Sequence, residues 1–186
     1  MSDDKFQNKY RIKSVRAAWH DYNGGGYFVT ICTRNREHYF GEISGGVMHL
    51  TPIGRFANDC LMKMEILHND VQIPVWQIMP DHIHAIVIIE NVVEPPYYDG
   101  STTKQLNVGK SVTIKNAYMQ NVANKCGRLS HVISRMKTAI SKYARQNDLP
   151  FGWQSRFYDR IIRNGKEMNR IATYIEQNVA KWESER

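Results

Sequence analysis

The chain has 186 residues, a hydrophobic fraction of 42% and a formal net charge of +7. This length fits one domain with a proper core, and the composition excludes disordered and fibrous proteins. No apolar run approaches the roughly 20 residues that a membrane span requires. The polar N-terminus lacks the apolar core of a signal peptide, so we expect a cytoplasmic protein with no membrane partner.

The three cysteines, Cys32, Cys60 and Cys126, are odd in number and widely spaced. No CxxC pair is present, which argues against a disulfide framework and against a thiolate zinc site. The pattern predicts small buried thiols in a reducing compartment.

The first half of the chain predicts two strands and a helix. A glycine turn opens a strand at 27–33, and the short segment 45–50 is its expected hairpin partner. Thr51 and Pro52 have the form of a helix cap and a first-turn proline. The following apolar residues recur at helical spacing and predict one buried face, made of Ile53, Phe56, Cys60, Met64 and Leu67.

A second long strand at 71–79 turns through Pro80 into the run IMPDHIHAIVIIE, residues 78–90. The apolar, β-branched part of this run predicts a strand that is covered on both faces. Side chains alternate along a strand, so His82 and His84 point the same way. Two neighbouring imidazoles on a rigid element make half of a metal site, although an H-x-H in a strand is more often structural.

Positive charge is concentrated in one part of the sequence. Residues 100–147 contain no Asp or Glu and carry nine Lys and Arg residues. Such a block attracts polyanions, most simply the phosphates of nucleic acid. A solvated basic surface without a partner is the alternative. Within it, residues 91–127 show no clean periodicity and predict an inserted, partly flexible basic loop.

The C-terminal part predicts a helix, a strand and a closing helix. Leu129, Ile133, Met136 and Ile140 form the apolar stripe of the first helix, and 157–162 is the strand. Asn164 and Glu167 have the spacing of a capping box. The closing helix then has a buried face made of Met168, Ile171, Ile175, Val179 and Trp182.

This order predicts an α+β protein, a single domain over 1–186. Its ferredoxin-like β-α-β-β-α-β sheet carries an extra N-terminal hairpin strand and a C-terminal helix. On that helix Tyr174 and Asn178 are four residues apart and share one face beside the apolar stripe. A phenol, an amide oxygen and the two imidazoles would then converge on a divalent cation and a phosphate. Singly, each residue has a bland explanation in packing or helix capping.

The motifs PDHIHAIVII and YIEQNVAKW resemble those of the HUH single-strand transposases with one catalytic tyrosine, the IS200/IS605-like family. The stretches YFVTICTRNREHYFGEI and WQSRFYDRIIR are closer to its REP-associated tyrosine transposase branch. The resemblance runs from about residue 10 to residue 182 and excludes most of 91–127. Asp81 stands where these proteins often have Asn, and Val179 where Pro is usual; neither departure removes a catalytic group.

The resemblance implies a metal-dependent endonuclease and strand transferase that acts on single-stranded DNA beside palindromic hairpins. Tyr174 would be the nucleophile and form a 5′-phosphotyrosine, while His82, His84 and Asn178 would bind Mg²⁺ or Mn²⁺. Tyr158 and Tyr143 are weaker alternatives as nucleophile. Candidate DNA-binding residues are the basic ones of the acid-free block: Lys104, Lys110, Lys115, Lys125, Arg128, Arg135, Lys137 and Lys142.

Two further questions stay open at the level of sequence. The first is whether the protein is instead a non-catalytic ferredoxin-like nucleic-acid-binding module, with Tyr27 and Phe28 as a stacking surface. The second is whether it forms a homodimer, in which Tyr174 could meet the histidines of a partner.

Overall fold

The computed structural model describes the backbone of 24–90 and 114–182 and the side chains of 24–90 and 127–182. This part of the chain contains six strands, four α-helices and a short 3-10 helix at Arg34–Arg36. Their bounds, in chain order, are β1 Gly25–Cys32, β2 Gly41–Ser44, β3 Val47–Leu50, α1 Pro52–Leu67, β4 Val71–Ile78, β5 His82–Ile89, α2 Ile114–Gln146, β6 Tyr158–Ile162, α3 Gly165–Glu176 and α4 Asn178–Trp182. None of the described helices is long and apolar enough to cross a membrane.

Four of the strands form one antiparallel sheet in the order β4-β5-β1-β6. With the β2–β3 hairpin and the two C-terminal helices set aside, the chain runs β1-α1-β4-β5-α2-β6. That is the ferredoxin-like order, in which the first and third strands are central and the second and fourth are at the edges. The predicted α+β fold class is therefore confirmed.

The predicted pairing of 45–50 with the first strand is wrong. β3 pairs with β2 in a separate two-stranded sheet, because both edges of β1 are already hydrogen-bonded to β5 and β6. Gly45 and Gly46 connect β2 to β3 with φ values of +57° and +73°. Two residues with positive φ are what a tight hairpin turn requires, which explains the Gly-Gly pair.

One face of the sheet packs against α1 and α2. The predicted stripe of α2 is confirmed, since Leu129, Ile133, Met136 and Ile140 are all buried. On α1, however, Leu67 is 68% exposed and was wrongly predicted to be buried. The buried face of α1 is made instead of Ile53, Gly54, Ala57, Leu61 and Met64, with Phe56 and Cys60 partly buried beside it.

The other face of the sheet packs against α3. Ile86 of β5 forms a small buried cluster with Ile171 and Ile175, and Phe28 and Met168 pack around it. The C-terminal helix of the same chain therefore covers the second apolar face of β5. The expectation of a homodimer stays untested.

The structure corrects the predicted loop at 91–127 in part. Residues 91–113 lie outside the described residues, but α2 begins at Ile114, so 114–126 are helical. Gly127 interrupts α2 with φ +67° and ψ 158°. This backbone conformation is essentially restricted to glycine, so Gly127 separates the N-terminal arm of α2 from its buried part.

Candidate metal and nucleophile site

The β4–β5 hairpin places His82 and His84 at the start of β5, on the face that α3 covers. Both side chains are buried, and their Nε2 atoms are 3.0 Å apart. The even-numbered residues of β5 share this face, which is why the predicted side-by-side arrangement is found. The pair forms a small nitrogen-lined site at the strand terminus.

Each imidazole is oriented by an oxygen at its Nδ1. The Asp81 Oδ1 atom is 2.5 Å from Nδ1 of His82, and the Thr30 Oγ1 atom is 2.9 Å from Nδ1 of His84. Thr30 is directly opposite His84 in the β1–β5 register. When each Nδ1–H donates to its oxygen, both Nε2 lone pairs face the same point, which is how second-shell groups orient metal-binding histidines.

The electrostatics favour a neutral imidazole at His84. Burial, followed by the charges of His82 and Arg36, lowers the pKa of His84 to about 3. For Asp81, burial alone would raise the pKa, but the hydrogen bond to His82 and the nearby positive charges outweigh it and lower the pKa. Since only a neutral imidazole binds a metal, His84 is in the binding form at neutral pH.

Tyr174 of α3 lies against the histidine pair of its own chain. Its ring centroid is 5.5 Å from that of His84 and 6.1 Å from that of Phe28, and the residue is 44% exposed. Asn164 caps α3 by accepting a hydrogen bond from the Glu167 N–H, as predicted. Docking of α3 through its apolar stripe therefore brings a solvent-accessible phenol to the site.

Asn178 is the first residue of α4, after the break at Gln177. Tyr174, four residues before Asn178, contacts His84. The ring of Trp182, four residues after Asn178, is 6.0 Å from that of His82. The Asn178 Nδ2 atom is buried and has no hydrogen-bond partner among the described residues. Rotation of the amide exchanges nitrogen and oxygen, so an unpaired oxygen can occupy this buried position.

The donor set fits a divalent cation only if Asn178 contributes. The described residues contain no group of three His, Cys, Asp or Glu side chains that could hold a metal. Two imidazoles and one amide oxygen suit a borderline divalent ion and leave coordination positions open. The buried, unpartnered amide of Asn178 is the structural feature that agrees with this set.

The predicted DNA-binding residues whose side chains the structure describes, Arg128, Arg135, Lys137 and Lys142, all belong to α2. Lys104 and Lys110 lie outside the described residues, and Lys115 and Lys125 belong to the arm of α2 whose side chains are not described. The buried stripe of α2 packs on the sheet face opposite the histidines. Any contact between these lysines and DNA stays a prediction.

The remaining four residues of that set differ in environment. Arg135 and Lys142 are exposed on α2. Arg128 forms a bidentate ion pair with Asp70, with both N–O distances 2.6 Å. Lys137 donates to the Gln154 carbonyl at 2.8 Å. Arg128 and Lys137 are therefore engaged within the protein, whereas the first two face solvent.

The other aromatic residues that the sequence suggested as nucleophiles or stacking residues lie in different parts of the fold. Tyr143 stacks on Phe56 at 4.1 Å, on the α1–α2 side of the sheet. Tyr27 is fully buried and so cannot serve as the stacking surface that was considered. Phe28 and Tyr158 do lie on the histidine face.

Sequence reasoning missed Thr30 and Arg36, and it placed Trp182 only on the buried face of the closing helix. Thr30 reaches His84 through strand pairing, and Arg36 approaches Asp81 at 3.5 Å across the β1 terminus. No local pattern marks Thr30 or Arg36 as part of the site, and the helical stripe does not show that Trp182 approaches His82. Only the register of β1 against β5 and the docking of α3 and α4 bring them to the histidines.

Fold and site together define a ferredoxin-like domain with a strand-borne histidine pair that is covered by a tyrosine-bearing helix. This fold is shared with a REP-associated tyrosine transposase solved in complex with a REP hairpin. The similarity has a TM-score of 0.50 and 19% identity and covers 91% of this chain and 74% of that one.

No family model matches the chain. It is 30% identical over 176 residues to an uncharacterized protein of Haemophilus influenzae, which covers 93% of this chain and 91% of that protein. The chain belongs to the same family as this Haemophilus protein.

Proposed function

We propose that the protein is a metal-dependent endonuclease and strand transferase that acts on single-stranded DNA beside hairpins, with Tyr174 as nucleophile, and that it serves DNA transposition. The observation that carries the proposal is the contact between the partly exposed ring of Tyr174 and His84, whose imidazole is paired with that of His82. The shared fold with a hairpin-bound transposase supports the choice of substrate.

In the proposed reaction, the Tyr174 Oη atom attacks a phosphorus of the DNA backbone. A bond forms between Oη and phosphorus as the bond from phosphorus to the 3′ oxygen breaks. The phenol proton leaves to solvent, which reaches this exposed side chain, and the departing 3′ oxygen takes up a proton. The products are a 5′-phosphotyrosine and a free 3′ hydroxyl. Attack by a 3′ hydroxyl on the phosphotyrosine reverses these bond changes and rejoins DNA without ATP.

The binding residues in the proposal are His82, His84 and Asn178, which would hold Mg²⁺ or Mn²⁺. When bound, such an ion polarises the phosphate and stabilises developing negative charge. Asp81 and Thr30 keep the two imidazoles in one orientation. Trp182 shields His82 from one side.

The test is covalent trapping. The protein is mixed with end-labelled single-stranded hairpin DNAs and Mn²⁺, denatured, and examined for a protein band that carries the label. We expect the band with the wild-type chain and its loss in Tyr174→Phe, in His82→Ala and with a chelator. Tyr143→Phe and His131→Ala, which change the same residue types on α2, should leave the band unchanged.

The outcomes separate the candidate functions. A band that survives Tyr174→Phe would refute the nucleophile assignment. Tight binding of hairpins without any band would favour the non-catalytic nucleic-acid-binding module. DNA cleavage without a covalent product would indicate hydrolysis by water instead of tyrosine transfer.

A further inference from the structure

Tyr158 shares the sheet face and the register of the histidine pair. In the antiparallel register, Thr30 of β1 is opposite Tyr158 of β6 on one side and opposite His84 of β5 on the other. Neighbouring strands are spaced by just under 5 Å, so the backbone of Tyr158 is about 10 Å from that of His84. Tyr158 therefore lies beside the histidine pair, with one strand between them.

The ring of Tyr158 is held on one side and open on the other. It meets Phe28 edge-on, with centroids 6.5 Å apart and an interplanar angle of 71°. Phe28 in turn stacks on His84 at 5.2 Å and meets Tyr174 edge-on. Tyr158 nevertheless remains 49% exposed. A single half-buried phenylalanine thus connects the nucleophile, one histidine and an exposed aromatic ring on the edge strand.

The charge around Tyr158 suits a nucleic acid strand. Arg160 follows on the same face of β6, and its half-exposed guanidinium pairs with Glu167 at 2.7 Å. Arg170 reaches the same carboxylate at 3.9 Å. Two cations around one carboxylate leave net positive charge beside the ring, which attracts a phosphate backbone.

We propose that Tyr158 is a nucleobase-binding residue, whose ring stacks on the base of a nucleotide that flanks the phosphate attacked by Tyr174. The proposal rests on the proposed function, because it places the flanking strand along β6. Every base has a π face, so stacking of this kind tolerates any sequence. Tyr158 would therefore position the strand for attack and would not select its sequence.

The three possible roles of Tyr158 require different groups of the side chain and of the DNA. A nucleophile needs its hydroxyl, whereas a stacking residue needs only its ring. A purely structural residue would be indifferent to the base in the DNA. Tyr158→Phe, Tyr158→Ala and a base-free nucleotide therefore distinguish the three roles.

The experiment measures binding in a Tyr174→Phe background, in which transfer cannot occur. Hairpin DNAs with single-stranded flanks carry 2-aminopurine at one flank position at a time, and its fluorescence reports stacking. We expect quenching at one or two adjacent positions, retained in Tyr158→Phe and lost in Tyr158→Ala. Affinity should fall about 5- to 150-fold in Tyr158→Ala, while Tyr143→Ala keeps both affinity and quenching.

The decisive comparison uses an abasic nucleotide at the quenched position. If Tyr158 stacks on that base, the abasic DNA should bind the Tyr158-containing protein and Tyr158→Ala equally. An equal loss on intact and abasic DNA, or quenching that survives Tyr158→Ala, would overturn the proposal.

A parallel trapping assay with Tyr174 intact keeps the two proposals apart. Tyr158→Phe should still form the covalent product, and loss of that product with unchanged binding would make Tyr158 the nucleophile and overturn the stacking role. If the Tyr174 chain forms no covalent product at all but the base-dependent quenching holds, the proposed reaction fails and the base-binding site stands.

Discussion

Replacement of Ile175 by alanine should detach α3 from the sheet without unfolding the rest of the domain. Ile175 is 0% exposed, and it forms with Ile86 and Ile171 a buried cluster separate from the main core. Truncation of a buried isoleucine to alanine costs about 2–5 kcal/mol, because it loses hydrophobic transfer energy and leaves a cavity. Since the cluster has only three buried members, this cost should weigh chiefly on the docking of α3.

Hydrogen exchange followed by mass spectrometry measures this effect. Each 1.4 kcal/mol is a factor of ten in an equilibrium, so peptides from α3 should exchange about 30-fold to several thousand-fold faster. Peptides from α1 and α2, which belong to the main core on the other face of the sheet, should change much less. Ile66→Ala, the same substitution at a position of α1 that is 83% exposed, should stay within about 0.5 kcal/mol of wild type. Unchanged exchange in α3 would refute the view that this small cluster holds the helix that carries Tyr174.

Three further predictions test single interactions. Thr30→Val should weaken Mn²⁺ binding about 10- to 100-fold in calorimetry, because His84 loses the partner of its Nδ1. Thr30→Ser, which keeps the hydroxyl, should bind Mn²⁺ as the wild-type protein does. Equal Mn²⁺ affinities of Thr30→Val and the wild-type protein would exclude an orienting role of Thr30. Hydrogen bonds from Arg128 hold the pKa of Asp70 below its ordinary value, so their stabilisation is present above about pH 4 and is lost as pH falls through the lowered pKa. Asp70→Asn should therefore lower the free energy of unfolding by about 1–3 kcal/mol at pH 7 in denaturant titrations, and it should reduce the further loss of stability in acid. An unchanged dependence of stability on acid pH would contradict this prediction. Gly127→Ala should lower the free energy of unfolding by about 1–3 kcal/mol in the same titrations, since φ is +67° there. An unchanged midpoint of denaturant unfolding would show that glycine is not required at this position.

Local patterns in the sequence predict the elements that build the site. The β-branched run after Pro80 predicts β5, and strand alternation predicts that His82 and His84 are neighbours. The capping pair at Asn164 and the apolar stripe of α3 predict the helix that carries Tyr174. These predictions succeed because helix and strand periods depend on residues close in the chain.

Pairing between distant segments is where sequence reasoning fails. Arg128 counts as a free cation in a charge tally, yet it is held by Asp70, 58 residues earlier. The segment 45–50 was assigned to the first strand and pairs with β2 instead, because no local rule shows that both edges of β1 are occupied. Charge counts and turn signals do not show which distant residue or strand a given segment will contact.

The residue types, their spacing along each element and the fact that both histidines share one side of the strand all follow from the order of amino acids. The tertiary structure decides that Tyr174 meets His84 of its own chain, that Thr30 and Trp182 flank the histidines, and that the apolar stripe of α2 packs on the opposite face of the sheet. The physical reason is that periodicity is a short-range property, whereas strand register and helix docking minimise exposed apolar surface over the whole chain.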